Sequence, residues 1–261
     1  YVNEEYYGLY ANVQSLDKTF VKDNYLDAPG NLYDTTNEVY FTDLDRSIER
    51  EQSGAEQELR FELETNDPPG DISDLTALID ANYNGDQVSG WWGPQLEAIA
   101  DVDQFLLTAA GQALIADWDG FFGARNNYKL YHELDRDRFI VYSWGLDQTF
   151  GMRMENYDDL NYCYDGSTSQ RVNNLFFEWC KLESACWDLY RDILTDATAT
   201  FDALPLAAEL DLIESQISDS VLEDTRSPWD YAAYQDGLDN LRDFVDQRAA
   251  VVNGQLQNGC N

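Results

Sequence analysis

The apolar positions of the chain change their period near residue 70. Before it, short alternating runs dominate: "LRFELET" sets Leu59, Phe61 and Leu63 against charged neighbours, as a half-buried strand does. Residues 1–14 read as a hairpin with Tyr7, Leu9 and Ala11 on one face and Tyr10 and Val13 near the other. "SLDKTFVKDN" follows with a Ser/Asp helix start, "APGNLYD" with a turn and short strand, and "NDPPGD" breaks the chain. From Ser73 the spacing turns helical. "SDLTALIDANYN" carries Leu75, Leu78 and Ile79 on one stripe, and "QLEAIADVDQFLLTAAGQALIADWDGFF" continues as helix broken near Asp101. "YKLYHELDRDRFIVYSW" is the clearest hairpin, two aromatic and β-branched runs joined across Asp-Arg-Asp. Residues 151–170 are irregular and polar, and beyond Val172 the chain reads as helical. This predicts an α+β domain over 1–261: strands mainly in 1–70, helices and a hairpin in 71–150, an irregular segment and helical bundle in 151–261. No repeat or clean linker divides it.

Charge is the feature that most changes this picture. The 50 Asp and Glu against 16 Lys and Arg give a net charge of −34, with acids spread along the whole chain. Such a surface repels nucleic acid and anionic membranes and suits strong screening by salt or a cation-rich exterior. No apolar run approaches the ~20 residues of a membrane span. Cysteines 163, 180, 186 and 260 are too few to build a disulfide scaffold. Cys180 and Cys186 fall in one helical pattern, where six residues rotate by about 600° and rise about 9 Å, so they are expected not to bridge. Cys163 with Cys260 is the expected pair, and the location expected is extracellular or at the cell surface.

Several chemistries are absent. The single histidine, His132, lies in a strand pattern, and there is no nucleophile elbow, zinc spacing, Walker loop or dinucleotide fingerprint. Acid pairs such as Asp43 and Asp45 are expected by chance in so acidic a chain. An ordered trio stands above that background: Asp119 in "DWDGFFGARNNYKLY", Asn127 before the hairpin, and Asp147 in "WGLDQTFG" after it. An acid near an attacking hydroxyl, with hard oxygens to hold a divalent metal on phosphates, is what phosphoryl transfer needs. The hairpin can bring Asn127 and Asp147 together. Arg125 is the nearest cation for the phosphates, an ion pair with a neighbouring acid being its competing role. Asp158, Asp159 and Asp165 in the irregular segment offer oxygens for Ca²⁺, without EF-hand spacing.

Taken in order, "YYGLYANVQSLDKTF", "GNLYD", "FELETN", "SDLTALI", "DVDQFLLTAAGQALIADWDGFFGARNNYKLY", "RFIVYSWGLDQTFG" and "LRDFVDQRAAVVNGQL" resemble the CotH (spore coat protein H) kinase family. The resemblance implies an atypical protein-kinase-like fold that transfers phosphate from ATP, with Mg²⁺ or Mn²⁺, to protein hydroxyls. It implies Asp119 as catalytic acid, and Asn127 and Asp147 as metal ligands. Departures accompany the matches. Gly145 stands where the family's "WDlD" has its first acid, Gln14 where "GLYvlvE" has glutamate, and Asp34 and Glu64 where "GNLYK" and "yelK" have lysines. The resemblance also places the first residue inside the family domain, after the segment carrying much of its nucleotide-binding sheet. Two functions are therefore expected to compete: a secreted or surface protein kinase, weakened or intact, and a non-catalytic surface, assembly or adhesion protein that keeps the fold. Either has a protein substrate or assembly partner and admits an oligomer.

Overall fold

A computed structural model of the chain describes residues 3–25, 30–35, 42–44, 49–50, 58–66, 70–84, 92–151, 163 and 174–259. The sheet has four antiparallel strands in the order β4-β1-β5-β6, formed by β1 (Leu32–Thr35), β4 (Phe61–Leu63), β5 (Tyr128–Glu133) and β6 (Arg138–Ser143). Two further short strands, β2 (Glu49–Arg50) and β3 (Glu58–Leu59), pair with each other. Alternation sorts the side chains of the sheet into two sets. Tyr33, Phe61, Tyr128, Leu130, Phe139 and Val141 enter the main core, while Leu32, Tyr131 and Ile140 form a second cluster with Val21. Val21 belongs to α1 (Lys18–Asn24), capped by Asp17, whose carboxylate accepts from Thr19 N at 2.7 Å and Phe20 N at 3.1 Å.

The main core is closed by α2 (Ser73–Asn84), α3 (Trp92–Glu97) and α4 (Val102–Leu114). Asp101, the expected helix break, caps α4 by accepting from Gln104 N. Gln104 then pairs its side-chain amide with the open edge of β6, donating to Val141 O at 2.7 Å and accepting from Val141 N at 2.9 Å. An edge strand that would expose bare amides is thereby satisfied. At its other end α4 stops at Leu114, five residues short of Asp119, so Asp119 sits in a turn and not at the helix end the pattern suggested.

From Leu175 the described chain forms α5 (Leu175–Leu182), α6 (Ser184–Ala203), α7 (Leu206–Glu223) and α8 (Tyr231–Asn258). Arg248 of α8 is buried and donates to Ala113 O at 2.6 Å and Leu114 O at 3.1 Å, capping the orphan carbonyls of α4.

Two expectations are corrected. Residues 1–2 lie outside the described residues, and the hairpin expected over residues 1–14 is not formed by residues 6–14, which make no strand. Their polar groups turn to the α7–α8 corner, where Tyr6 Oη donates to Ser220 O, Leu9 N donates to Asp224 Oδ2, and Arg226 donates to Tyr6 O. Cys180 and Cys186 are joined as a disulfide, with Cα atoms 5.1 Å apart. The expectation assumed one continuous helix; Glu183, in extended conformation, ends α5 and starts α6, so the six-residue rotation never accrues. Cys163 is buried and also disulfide-bonded, while Cys260 of its expected pair lies outside the described residues, as do Asp158, Asp159 and Asp165.

Candidate active site

The connection from α4 to β5 folds back on itself through left-handed backbone. Ala116, Arg125 and Asn127 have φ of 54°, 58° and 48°, and on the facing turn Gly145 has 58° and Phe150 57°. Non-glycine residues pay of order 1 kcal/mol or more for such conformations, which persist where surrounding contacts impose them and gather at functional sites. Here the contacts run between the two turns. Trp144 N donates to Asn127 O at 2.8 Å and Phe150 N donates to Ile115 O at 2.6 Å.

Asn127 and Asp119 meet in this frame. The Asn127 amide donates to Asp119 Oδ2 at 2.8 Å and to Asp119 O at 3.2 Å, and Asn126 reaches Asp119 Oδ1 at 3.4 Å. With Nδ2 so used, Asn127 turns Oδ1 towards Gly145, where a Cβ would stand 3.0 Å from it. The acid the family has at this position would make the Asn127 amide yield by a few tenths of an ångström; glycine relieves both that contact and the positive φ. Asp147 follows in a 3₁₀ turn, Leu146–Gln148, exposed and without a side-chain hydrogen bond to another described residue.

Asp117 belongs to the same cluster and escaped the sequence argument. Its carboxyl group is buried, with Oδ2 lacking a hydrogen-bond partner among the described residues, and burial first, then Asp119, push it up to about 7, with Asp147 adding to the rise. Gly120 makes this possible, because a Cβ there would lie 2.3 Å from Asp117 Oδ2. Only the repeat of acids in "DWD" signalled it.

Arg125 goes elsewhere. Its guanidinium lies 3.8 Å from the buried carboxylate of Asp43, which also accepts from Leu44 N, Leu175 N and the Asn174 side chain. Asp43 thus ties the loop to the start of α5, a structural role for an acid that composition made look incidental. The cation on the strand that carries the site is instead Lys129, held between Asp34 and Glu64. His132 is likewise paired: Nδ1 with Asp74 Oδ2 at 2.8 Å, Nε2 with Asp137 Oδ1 at 3.0 Å, and its ring stacked on Phe139.

The donor set suits a hard divalent cation. Asp119, Asn127 and Asp147 offer oxygens, and the orphaned Asp117 Oδ2 marks an excess of acceptors. Among the described residues no three His, Cys, Asp or Glu side chains close around one point. That is compatible with Mg²⁺, which keeps several waters and takes one or two carboxylates plus phosphate oxygens.

A small antiparallel sheet, a hairpin with an Asn before it and an Asp after it, and a helical remainder make up an α+β architecture. The family profile described as CotH kinase protein matches residues 1–252, and the chain belongs to that family. No curated protein matches it. None of the described helices is long and apolar enough to cross a membrane.

Proposed function

We propose that the chain is a CotH-type protein kinase of low intrinsic activity, acting outside the cell on Ser or Thr hydroxyls of surface proteins. The observation that carries this reading is the 2.8 Å bond by which Asn127 holds Asp119 across the strained loop. So fixed, Asp119 orients the acceptor hydroxyl and takes its proton. Asn127 Oδ1 and Asp147 are the residues that would hold Mg²⁺ or Mn²⁺, and the ion, when bound, would supply positive charge to the phosphates. The Cys180–Cys186 disulfide supports an oxidising location. Incubation with γ-labelled ATP and Mn²⁺ is expected to label protein, with the label lost in Asp119→Asn and in Asp147→Asn. Label that persists in both variants overturns the assignment.

A second reading, a non-catalytic surface or assembly protein, is favoured by Gly145 and by the commitment of Arg125 and Lys129 to carboxylates. It predicts no labelling and no rise in melting temperature with saturating ATP and Mg²⁺, since a ligand that binds only the folded state must raise the midpoint.

A further inference from the structure

Lys129 stands opposite Asp34 in the β1–β5 register, and Glu64 follows directly on β4, so three strands point ionic side chains at one place. The Lys129 ammonium lies 3.0 Å from Asp34 Oδ2 and is also bonded to Glu64 Oε1. Its side chain is 7% exposed, against 32% for Asp34 and 23% for Glu64, so the acids stand between the cation and solvent. The same ammonium lies 5.7 Å from the centroid of Trp144, the residue before Gly145, and two positions along the chain from Asn127.

One carboxylate would suffice to pair a buried lysine. The second leaves the group with a net charge of −1, and burial, together with the adjacent Asp34, pushes the Glu64 carboxyl upward despite the lysine. An ammonium offers the same three N–H donors to a phosphate oxygen as to a carboxylate oxygen. We propose that Lys129 is a latent oxyanion-binding residue at the edge of the active site, and that Asp34 and Glu64 are built-in competitors which keep phosphate groups from it. The proposal rests on the phosphotransfer reading for its biological meaning: the chain regulates its own nucleotide affinity, and phosphates gain Lys129 only when the two carboxylates release it.

The test uses tripolyphosphate without metal, so that Asn127 and Asp147 are not needed, with calorimetric titration of folded protein at fixed ionic strength. The Asp34→Asn/Glu64→Gln double variant is expected to bind at least tenfold more tightly than wild type, and adding Lys129→Met is expected to abolish the gain. Wild-type affinity in the folded double variant, or a gain that survives Lys129→Met, overturns the proposal. Should the double variant not fold, each single variant is expected to show part of the gain, and a folded single variant with none overturns it equally. Phosphotransfer by wild type is read separately, so the proposed activity can fail while the tripolyphosphate gain stands.

Discussion

At the scale of single residues, two buried ionisable groups with raised pKa values each make stability fall as pH rises, one through a growing cost and the other through a lost contribution. Burial first, and then Asp119, push the Asp117 carboxyl up to about 7, well above the usual carboxylate range. An acid whose folded pKa is raised costs stability when forced to ionise; the cost is absent below about 4, grows as pH rises and is complete above about 7. Asp117→Asn is therefore expected to stabilise the protein at pH 8 by up to a few kcal/mol and to do little at pH 4.5. Urea unfolding at the two pH values checks this, and an equal effect at both sinks it. His132 shares the sign of the pH dependence, but its protonated form is a paired charge that stabilises the fold, so removing it costs stability at low pH. Burial lowers its pKa, but Asp74 and then Asp137 outweigh that and raise it above 6.5. Its contribution is full below the unfolded value and is lost as pH climbs through the folded one. His132→Gln should cost about 1 kcal/mol at pH 5.5 and less at pH 8.5. Since this is the only histidine, one imidazole resonance reports its titration directly.

At the scale of elements, legibility followed how local the determining interaction is. The β5–β6 hairpin with Asn127 before it and Asp147 after it, and the helix break near Asp101, were readable, because alternation and helix termination act within a few residues. The meeting of Asp119 with Asn127 was readable only as a possibility of chain order, since it depends on the left-handed conformations at Arg125 and Asn127. Asp43, Lys129 and Asp74 were illegible: each is defined by partners 17 to 132 residues away, and one acid among 50 looks like any other until burial singles it out. The disulfide was missed for a different reason. A one-residue break at Glu183 leaves the three- and four-residue apolar rhythm intact on either side, so the pattern hides the corner. That corner gives its own prediction. Closing a six-residue separation removes on the order of 2 kcal/mol of unfolded-chain entropy, so Cys186→Ser should lower stability by about that amount. The loss should match that caused by selective reduction of this bridge, and a variant as stable as wild type would refute the estimate.

For the whole molecule, the net charge of −34 acts on everything packed above. Its effect is concentrated where burial is least. α7 carries Glu209, Asp211, Glu214, Asp219 and Glu223, has no lysine or arginine, and buries no residue. Its visible cationic partner is Arg242 of α8, which pairs with Asp211 and Glu214. Repulsion within such a surface reaches about 10 Å at 0.1 M salt and about 3 Å at 1 M, so added salt should stabilise the fold by screening. Sodium chloride alone would not prove this, because it can also strengthen apolar burial. Guanidinium chloride separates the two effects: it screens charge as any salt does, yet weakens apolar burial as urea does. Unfolding in guanidinium chloride is therefore expected to show an initial gain in stability below about 0.5 M, which urea at low fixed salt lacks and urea with matched sodium chloride restores. Amide exchange should locate the gain in α7 and its contact with α8, where packing contributes least. A monotonic loss from the first addition of guanidinium chloride would show that the acids repel one another too weakly to matter.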